Sequence, residues 1–181
     1  MQKPPPLPAE TLAKVVRISA LDGFSLTFIA SGFGLVSVFY ADWLGAAVGG
    51  LAAGAGWLEL HGRRRLRAGD AGGVRWLVRS QLVLLVIILL YVAYQLHSFN
   101  PEPLLAKVEE ALSSAQRSLG LEVTPLADSL GLTKRQFLEF AQHTVRVAYL
   151  AVGVLSILFQ GGLAFYYHRQ EQGVARALRK I

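Results

Sequence analysis

The chain has 181 residues, of which 53% are hydrophobic and only 17% are charged. A soluble domain is usually about a quarter charged, and here the apolar residues are also gathered into blocks, which indicates membrane spans. The absence of Cys excludes disulfides, thiolate metal ligands and cysteine nucleophiles. We attribute the net charge of +6 to basic residues on the cytoplasmic side of a membrane protein, and we expect no binding of nucleic acid.

The chain begins with residues 1–21, a proline-rich stretch followed by an amphipathic pattern. It lacks the small-residue cleavage pattern of a signal peptide, so we expect it to be retained. The pattern predicts a helix lying at the membrane interface on the cytoplasmic side. Asp22 would then cap the first spanning helix, and it could also pair with Arg75 or Arg79.

Four apolar segments approach or exceed the length of about 20 residues that a spanning helix needs. They are residues 24–40, 43–60, 76–97 and 147–167. Only Ala41 and Asp42 separate the first two, which predicts a tight antiparallel pair. The predicted fold class is therefore all-α, a polytopic membrane protein with four transmembrane helices. In this prediction, residues 22–97 form transmembrane helices 1–3, with a basic cytoplasmic loop at residues 61–75. Residues 98–143 form an extracytoplasmic helical cap. Residues 144–181 form transmembrane helix 4 and a basic cytoplasmic tail.

Lysine and arginine predict the orientation of these spans. Thirteen of them fall in the N-terminal segment, the second connection with its flank and the C-terminal tail, whereas five fall on the opposite side. Both termini should therefore be cytoplasmic. The richness in Ala, Gly and Arg suggests a GC-rich bacterial source, so we expect a multi-pass protein of the bacterial inner membrane.

The second span is built from small residues. It contains Gly45-x-x-x-Gly49 and Gly50-x-x-x-Gly54, a spacing that lets helix backbones approach closely in lipid. These faces exceed what one partner helix can cover, which favours a homo-oligomer. Gln160 is the deepest large polar residue of the fourth span, and we expect it to hydrogen-bond between helices.

The first span carries a stripe of small or hydroxylated residues that includes Thr27, Gly34 and Ser37, with Ser31 at its edge. Two interpretations remain open. The stripe could pack on the second span, or it could line a polar pathway at an oligomer axis, with Asp42 at the outer end and Asp22 at the inner end.

The connection after the second span holds Arg63, Arg64, Arg65 and Arg67. Such a cluster sets topology, and it could also bind anionic lipid headgroups or a partner protein whose identity the sequence does not give.

The cap has three predicted helix starts: Asn100 before Pro101, Thr124 before Pro125, and Thr133 with Gln136 as a capping box. We expect the last of these helices to continue into the fourth span. His97, His143 and Asp42 share the outer side by topology, so a metal or proton site there is a further alternative, although no ligand spacing supports a metal.

No catalytic motif is present in the sequence, so we expect neither an enzyme nor a cofactor. The leading hypothesis is a small homo-oligomeric ion channel or transport protein with a pathway lined by the first helix. The alternative is a non-conducting accessory subunit that binds a partner through the outer cap or the basic inner loop.

Overall fold

The structure is a computed structural model that describes residues 8–100, 102–118 and 133–179. Within these residues the fold is all-helical. The helices are α1 (Pro8–Phe39), α2 (Trp43–Arg67), α3 (Gly73–Ser98), α4 (Glu102–Ser118) and α5 (Lys134–Leu178). The helix predicted after Thr124 lies outside the described residues.

Three helices are long and apolar enough to cross a membrane, over Ala9–Phe39, Gly73–Ser98 and Arg135–Leu178. Large apolar side chains cover their outer surfaces; Phe28 is 82% exposed and Leu158 67%. Such surfaces would be unstable in water, so these helices suggest a multi-pass membrane protein. The predicted second span does form a helix, α2, but its Gly and Ala residues and its arginine-rich last turns make it less apolar than the other three.

The predicted break between an interfacial helix and the first span is not present. α1 runs without interruption for 32 residues through Asp22 and Gly23, so Asp22 does not cap a helix. Its side chain instead accepts a hydrogen bond from Gln81 on α3. Gly23 has a packing reason to lie within the helix, because a Cβ there would approach the Leu60 side chain to 3.0 Å.

α1 and α2 pack along their small residues. A Cβ added to Gly49 would lie 2.6 Å from the Gly34 Cα, and one on Gly56 would lie 2.5 Å from the Thr27 hydroxyl. The Thr27 hydroxyl donates to the Gly23 carbonyl within its own helix at 2.7 Å, so it brings no unsatisfied donor into this contact. The antiparallel pairing predicted for the first two spans is therefore present.

Two short turns join the first three helices. Ala41 has a positive φ of 55°, and Asp42 caps α2 by accepting from the Gly45 N–H at 2.9 Å. After α2, Gly69 adopts a φ of 85°, the left-handed conformation that glycine favours after a helix. Asp70 then accepts from the Gly72 N–H at 2.8 Å, which closes the connection to α3.

The chain divides into two compact units: Met1–Tyr91 with Val154–Ile181, and Val92–Gly153. In the second unit, Asn100 accepts from the Glu102 N–H at 3.0 Å. Thr133 and Gln136 form the predicted capping box, with the Gln136 side chain accepting from the Thr133 N–H at 3.0 Å. α5 continues unbroken from this cap into the fourth predicted span, as expected.

Candidate functional site

Four polar side chains, one from each of α1, α2, α3 and α5, meet inside the first unit. They are Asp22, Glu59, Gln81 and Tyr167, and we call them the polar layer. Glu59 and Tyr167 have no exposed surface and Gln81 is 1% exposed, whereas Asp22 is half-buried. Burying such groups is costly unless they hydrogen-bond one another, so the layer requires a specific arrangement.

The Gln81 amide bridges the two carboxyl groups. Its Nε2 donates to Asp22 Oδ2 at 2.6 Å and to Glu59 Oε2 at 2.9 Å. Because an amide nitrogen carries two hydrogens, both donors are used. The carboxyl oxygens therefore determine which way the amide faces, since the reversed amide would place its oxygen against them. Gln81 Oε1 is buried and has no hydrogen-bond partner within the described residues.

Asp22 Oδ2 and Glu59 Oε2 lie close together, because both accept from the single Gln81 Nε2. Two ionised carboxylates at such close range would repel each other strongly in a poorly solvated site. The ion pairs of the described residues involve neither carboxyl. The expected partners of Asp22 are engaged elsewhere: Arg75 binds Glu171 at 3.2 Å, and Arg79 lies 5.9 Å from the centre of the Trp76 ring. The layer thus holds two acids without a matching cation.

Tyr167 completes the layer from α5. Its hydroxyl donates to Glu59 Oε1 at 2.8 Å, so Glu59 has hydrogen-bond partners on both oxygens. The Tyr167 ring also belongs to the apolar core, where it packs with Val15, Leu77 and Val174. The residue therefore joins the polar layer to the surrounding hydrophobic packing.

An aliphatic layer lies beside the polar layer. Each of the four polar residues has a buried aliphatic residue seven positions away on the same helix. On α1 and α5 this residue lies toward the chain terminus, and on α2 and α3 it lies toward the connection between these two helices. These residues are Val15, Leu66, Val74 and Val174, each at most 1% exposed. Seven residues are two helical turns, about 10 Å. The four helices thus stack a buried apolar layer next to the polar one.

The residues predicted to line a pathway lie in different surroundings and do not form one continuous surface. Asp22 belongs to the polar layer. Thr27, Gly34 and Ser37 face α2 within the same chain, and Ser31 is exposed. Asp42 caps α2. The contacts of the stripe therefore favour the packing interpretation for its middle part.

The predicted packing residues also separate into two groups. Gly45 and Gly49 contact α1 or its turn, whereas a Cβ on Gly50 or Gly54 would meet nothing within 4 Å. Gln160 Oε1 is buried and accepts no hydrogen bond within the described part of the chain, so the interhelical bond expected of it is not seen at this atom.

The four arginines predicted in a cytoplasmic loop lie instead in the last turns of α2, and two of them have partners within the protein. Arg65 forms an ion pair with Asp70 at 2.6 Å, and Arg63 lies 5.7 Å from the centre of the Phe24 ring. Arg64 and Arg67 are exposed. For the alternative metal site at His97, His143 and Asp42, the described residues contain no group of three His, Asp or Glu side chains that could hold an ion.

The sequence places Glu59 at the inner end of the second span and Arg79 with Gln81 at the inner end of the third, near Asp22, which predicts a charged ring at the inner leaflet. Tyr167 was not linked to this ring, although it lies near the same end of its own predicted span. Their shared depth follows only once the relative register of the helices is known.

Comparisons with protein-family models, with curated proteins and with solved structures find no match to this chain.

Proposed function

We propose that this chain is a small multi-pass membrane protein of the transport class, with the Asp22–Glu59 pair as its proton-binding site. The observation that carries the proposal is that these two carboxyl groups accept hydrogen bonds from the same Gln81 amide nitrogen inside a helical bundle, while the ion pairs of the described residues involve neither of them. Ionisable side chains inside membrane proteins are costly and commonly mark proton relays and ion pathways.

The pair is suited to exchanging a proton. With one proton the pair carries a single negative charge. Loss of that proton would leave two adjacent negative charges held only by the Gln81 amide and the Tyr167 hydroxyl. Like charges in a poorly solvated site repel strongly. Deprotonation would therefore drive α1 and α2 apart at this level, which couples proton release to a change in helix packing.

The two carboxyl groups of the pair differ in their exposure to the surroundings of the protein. Asp22 has part of its surface exposed, whereas Glu59 has none. We propose that Asp22 exchanges protons with the surroundings and that Glu59 receives them. The aliphatic layer closes the bundle beyond the pair, so release on that side would require this layer to open.

Of the residues first expected to line a pathway along α1, only Asp22, at the inner end, is part of the proposed proton-binding site. α2 is proposed as the fourth span, because it pairs with α1 from Gly56 to Gly45. With four spans, we propose that both termini are cytoplasmic, because most Lys and Arg residues fall on that side. The bacterial inner membrane is proposed from the richness in Ala, Gly and Arg. The uncovered Gly50 and Gly54 face is the surface that we propose for a second copy.

Proton flux into liposomes tests the proposal. Purified protein is reconstituted with a pH-sensitive dye inside, and a potassium gradient with valinomycin sets the membrane potential. We expect acidification with the wild-type protein and a loss of flux to the level of empty liposomes for Glu59→Gln and Asp22→Asn. Glu139→Gln, an exposed acid elsewhere in the chain, is the matched control and should conduct like the wild type. Flux that persists in Glu59→Gln would overturn the assignment.

A second candidate function is a non-conducting accessory subunit. An open depression of about 360 Å³ in the second unit, lined in part by Phe99, Arg135 and Leu138, favours a docking role for the outer cap. Folded wild-type protein that gives no more flux than empty liposomes would support this alternative over transport.

A further inference from the structure

We propose that a groove between α3 and α5 binds the phosphate group of an anionic phospholipid. The groove has a volume of about 200 Å³. Its lining residues are Arg75, Val78, Arg79, His168 and Glu171. It is separate from the polar layer, so the proposal does not depend on the proposed proton site.

The net positive charge of the groove favours the binding of an anion. Glu171 is its one acid, and both carboxylate oxygens already face donors: Oε1 accepts from Arg75 at 3.2 Å, and Oε2 lies 3.9 Å from His168 Nδ1. Arg79 has no acidic partner among the described residues. Two guanidinium groups against one carboxylate leave the groove positive, with further donors on Arg75 and Arg79 for phosphate oxygens.

The surroundings of the groove fit a lipid rather than a soluble phosphate. Arg79 lies over Trp76, and tryptophan is typical of the membrane–water boundary. Val78 adds an apolar wall. The apolar stretch of α3 begins with Leu82 and Val83, both of them exposed, so acyl chains could lie along the helix next to a bound headgroup. Basic pockets between spanning helices are a known kind of site for anionic headgroups.

The groove is also a better headgroup site than the arginine cluster in the last turns of α2. Two of the four arginines of that cluster already have partners, because Arg65 pairs with Asp70 and Arg63 lies over the Phe24 ring. The guanidinium groups of Arg75 and Arg79 instead converge on one groove, and Arg75 keeps 74% of its side chain exposed.

Native mass spectrometry of the detergent-solubilised protein tests the proposal, because detergent removes the diffuse attraction of a charged bilayer. Phosphatidylglycerol and phosphatidylcholine with the same acyl chains are added separately. We expect one phosphatidylglycerol bound per chain, and weaker binding of phosphatidylcholine. The Arg75→Ala and Arg79→Ala double variant should bind phosphatidylglycerol at least about tenfold more weakly, since even one charge-assisted hydrogen bond to phosphate contributes roughly tenfold in affinity.

Two further variants make the result specific. Glu171→Gln removes the acid that competes with phosphate for Arg75, so it should bind phosphatidylglycerol more tightly than the wild type. A variant with Arg169→Ala and Arg176→Ala removes two exposed charges that do not line the groove and should bind as the wild type does. Equal binding by the wild type and the Arg75, Arg79 double variant would overturn the proposal. Displacement of the lipid by an equal concentration of inorganic phosphate would overturn the lipid assignment in favour of a soluble ligand.

Discussion

The Tyr167 hydroxyl fills one of the two hydrogen-bonding positions on Glu59, and its removal isolates the effect of that single bond. Because the ring would remain in the core, Tyr167→Phe should destabilise the protein by about 1–3 kcal/mol, which is typical for a buried polar group left without its partner. Tyr166→Phe is the matched control, and we expect a change within about 0.5 kcal/mol. Reversible unfolding in mixed micelles measures both, and equal effects of the two variants would contradict the assigned role of Tyr167.

Asp70 gives the α2–α3 connection a dependence on pH. The hydrogen bond from the Gly72 N–H, and secondarily the neighbouring Arg65, hold the pKa of this carboxyl below its usual value of 3.8. A carboxyl with a lowered pKa in the folded state stabilises that state fully above its unfolded pKa, and this stabilisation is lost as the pH falls through the folded value. We expect the connection to loosen only in strong acid, and Asp70→Asn to abolish this transition. Carboxyl carbon NMR shifts would report it, and a midpoint above the usual pKa would contradict the role of the Gly72 hydrogen bond.

At the scale of the helices, the glycines of α2 differ sharply in what they contact. Gly49→Ala would push a methyl group into Gly34, at 2.6 Å, so we expect a loss of about 1–3 kcal/mol from overpacking. Gly50→Ala adds a methyl group in open space and should stabilise the helix by roughly 0.5–1 kcal/mol. Unfolding measurements on the two single variants compare adjacent positions directly. A harmless Gly49→Ala would contradict the α1–α2 packing, whereas a harmful Gly50→Ala would indicate a second copy on that face.

The helices and their ends followed from sequence to a large extent. Blocks of apolar residues gave the long helices, and the two-residue separation of the first two blocks gave the turn at Ala41 and Asp42. Local capping chemistry gave the capping box at Thr133, since it depends on residues close together in the chain. The continuity of α1 through Asp22 was not predicted. A polar residue before a glycine suits a helix start, and only a partner on a distant helix reveals another role. The polar layer required the relative register of four helices, which no local pattern contains.

For the whole molecule, the side of each connection distinguishes four spans from three. The chain has no Cys, so single cysteines can be introduced and labelled with a membrane-impermeant maleimide on oriented vesicles. If α2 spans the membrane, Tyr40→Cys and Ala68→Cys should label from opposite sides, and Arg176→Cys should label from the same side as Ala68→Cys. Labelling of Tyr40→Cys and Ala68→Cys from the same side would show that α2 does not cross.

Infrared spectroscopy of the carboxyl groups tests the central claim most directly, because a protonated carboxyl has a carbonyl stretch that an ionised carboxylate lacks. The claim is that Asp22 and Glu59 share one proton inside the bundle. At neutral pH the wild-type protein should show this band, and it should shift when the solvent is replaced by heavy water. Glu59→Gln should remove the band, because it leaves no second carboxyl with which to share a proton, while Glu139→Gln should retain it. A wild-type spectrum without the band, or a band that persists in Glu59→Gln, would contradict the shared proton and with it the proposed transport site.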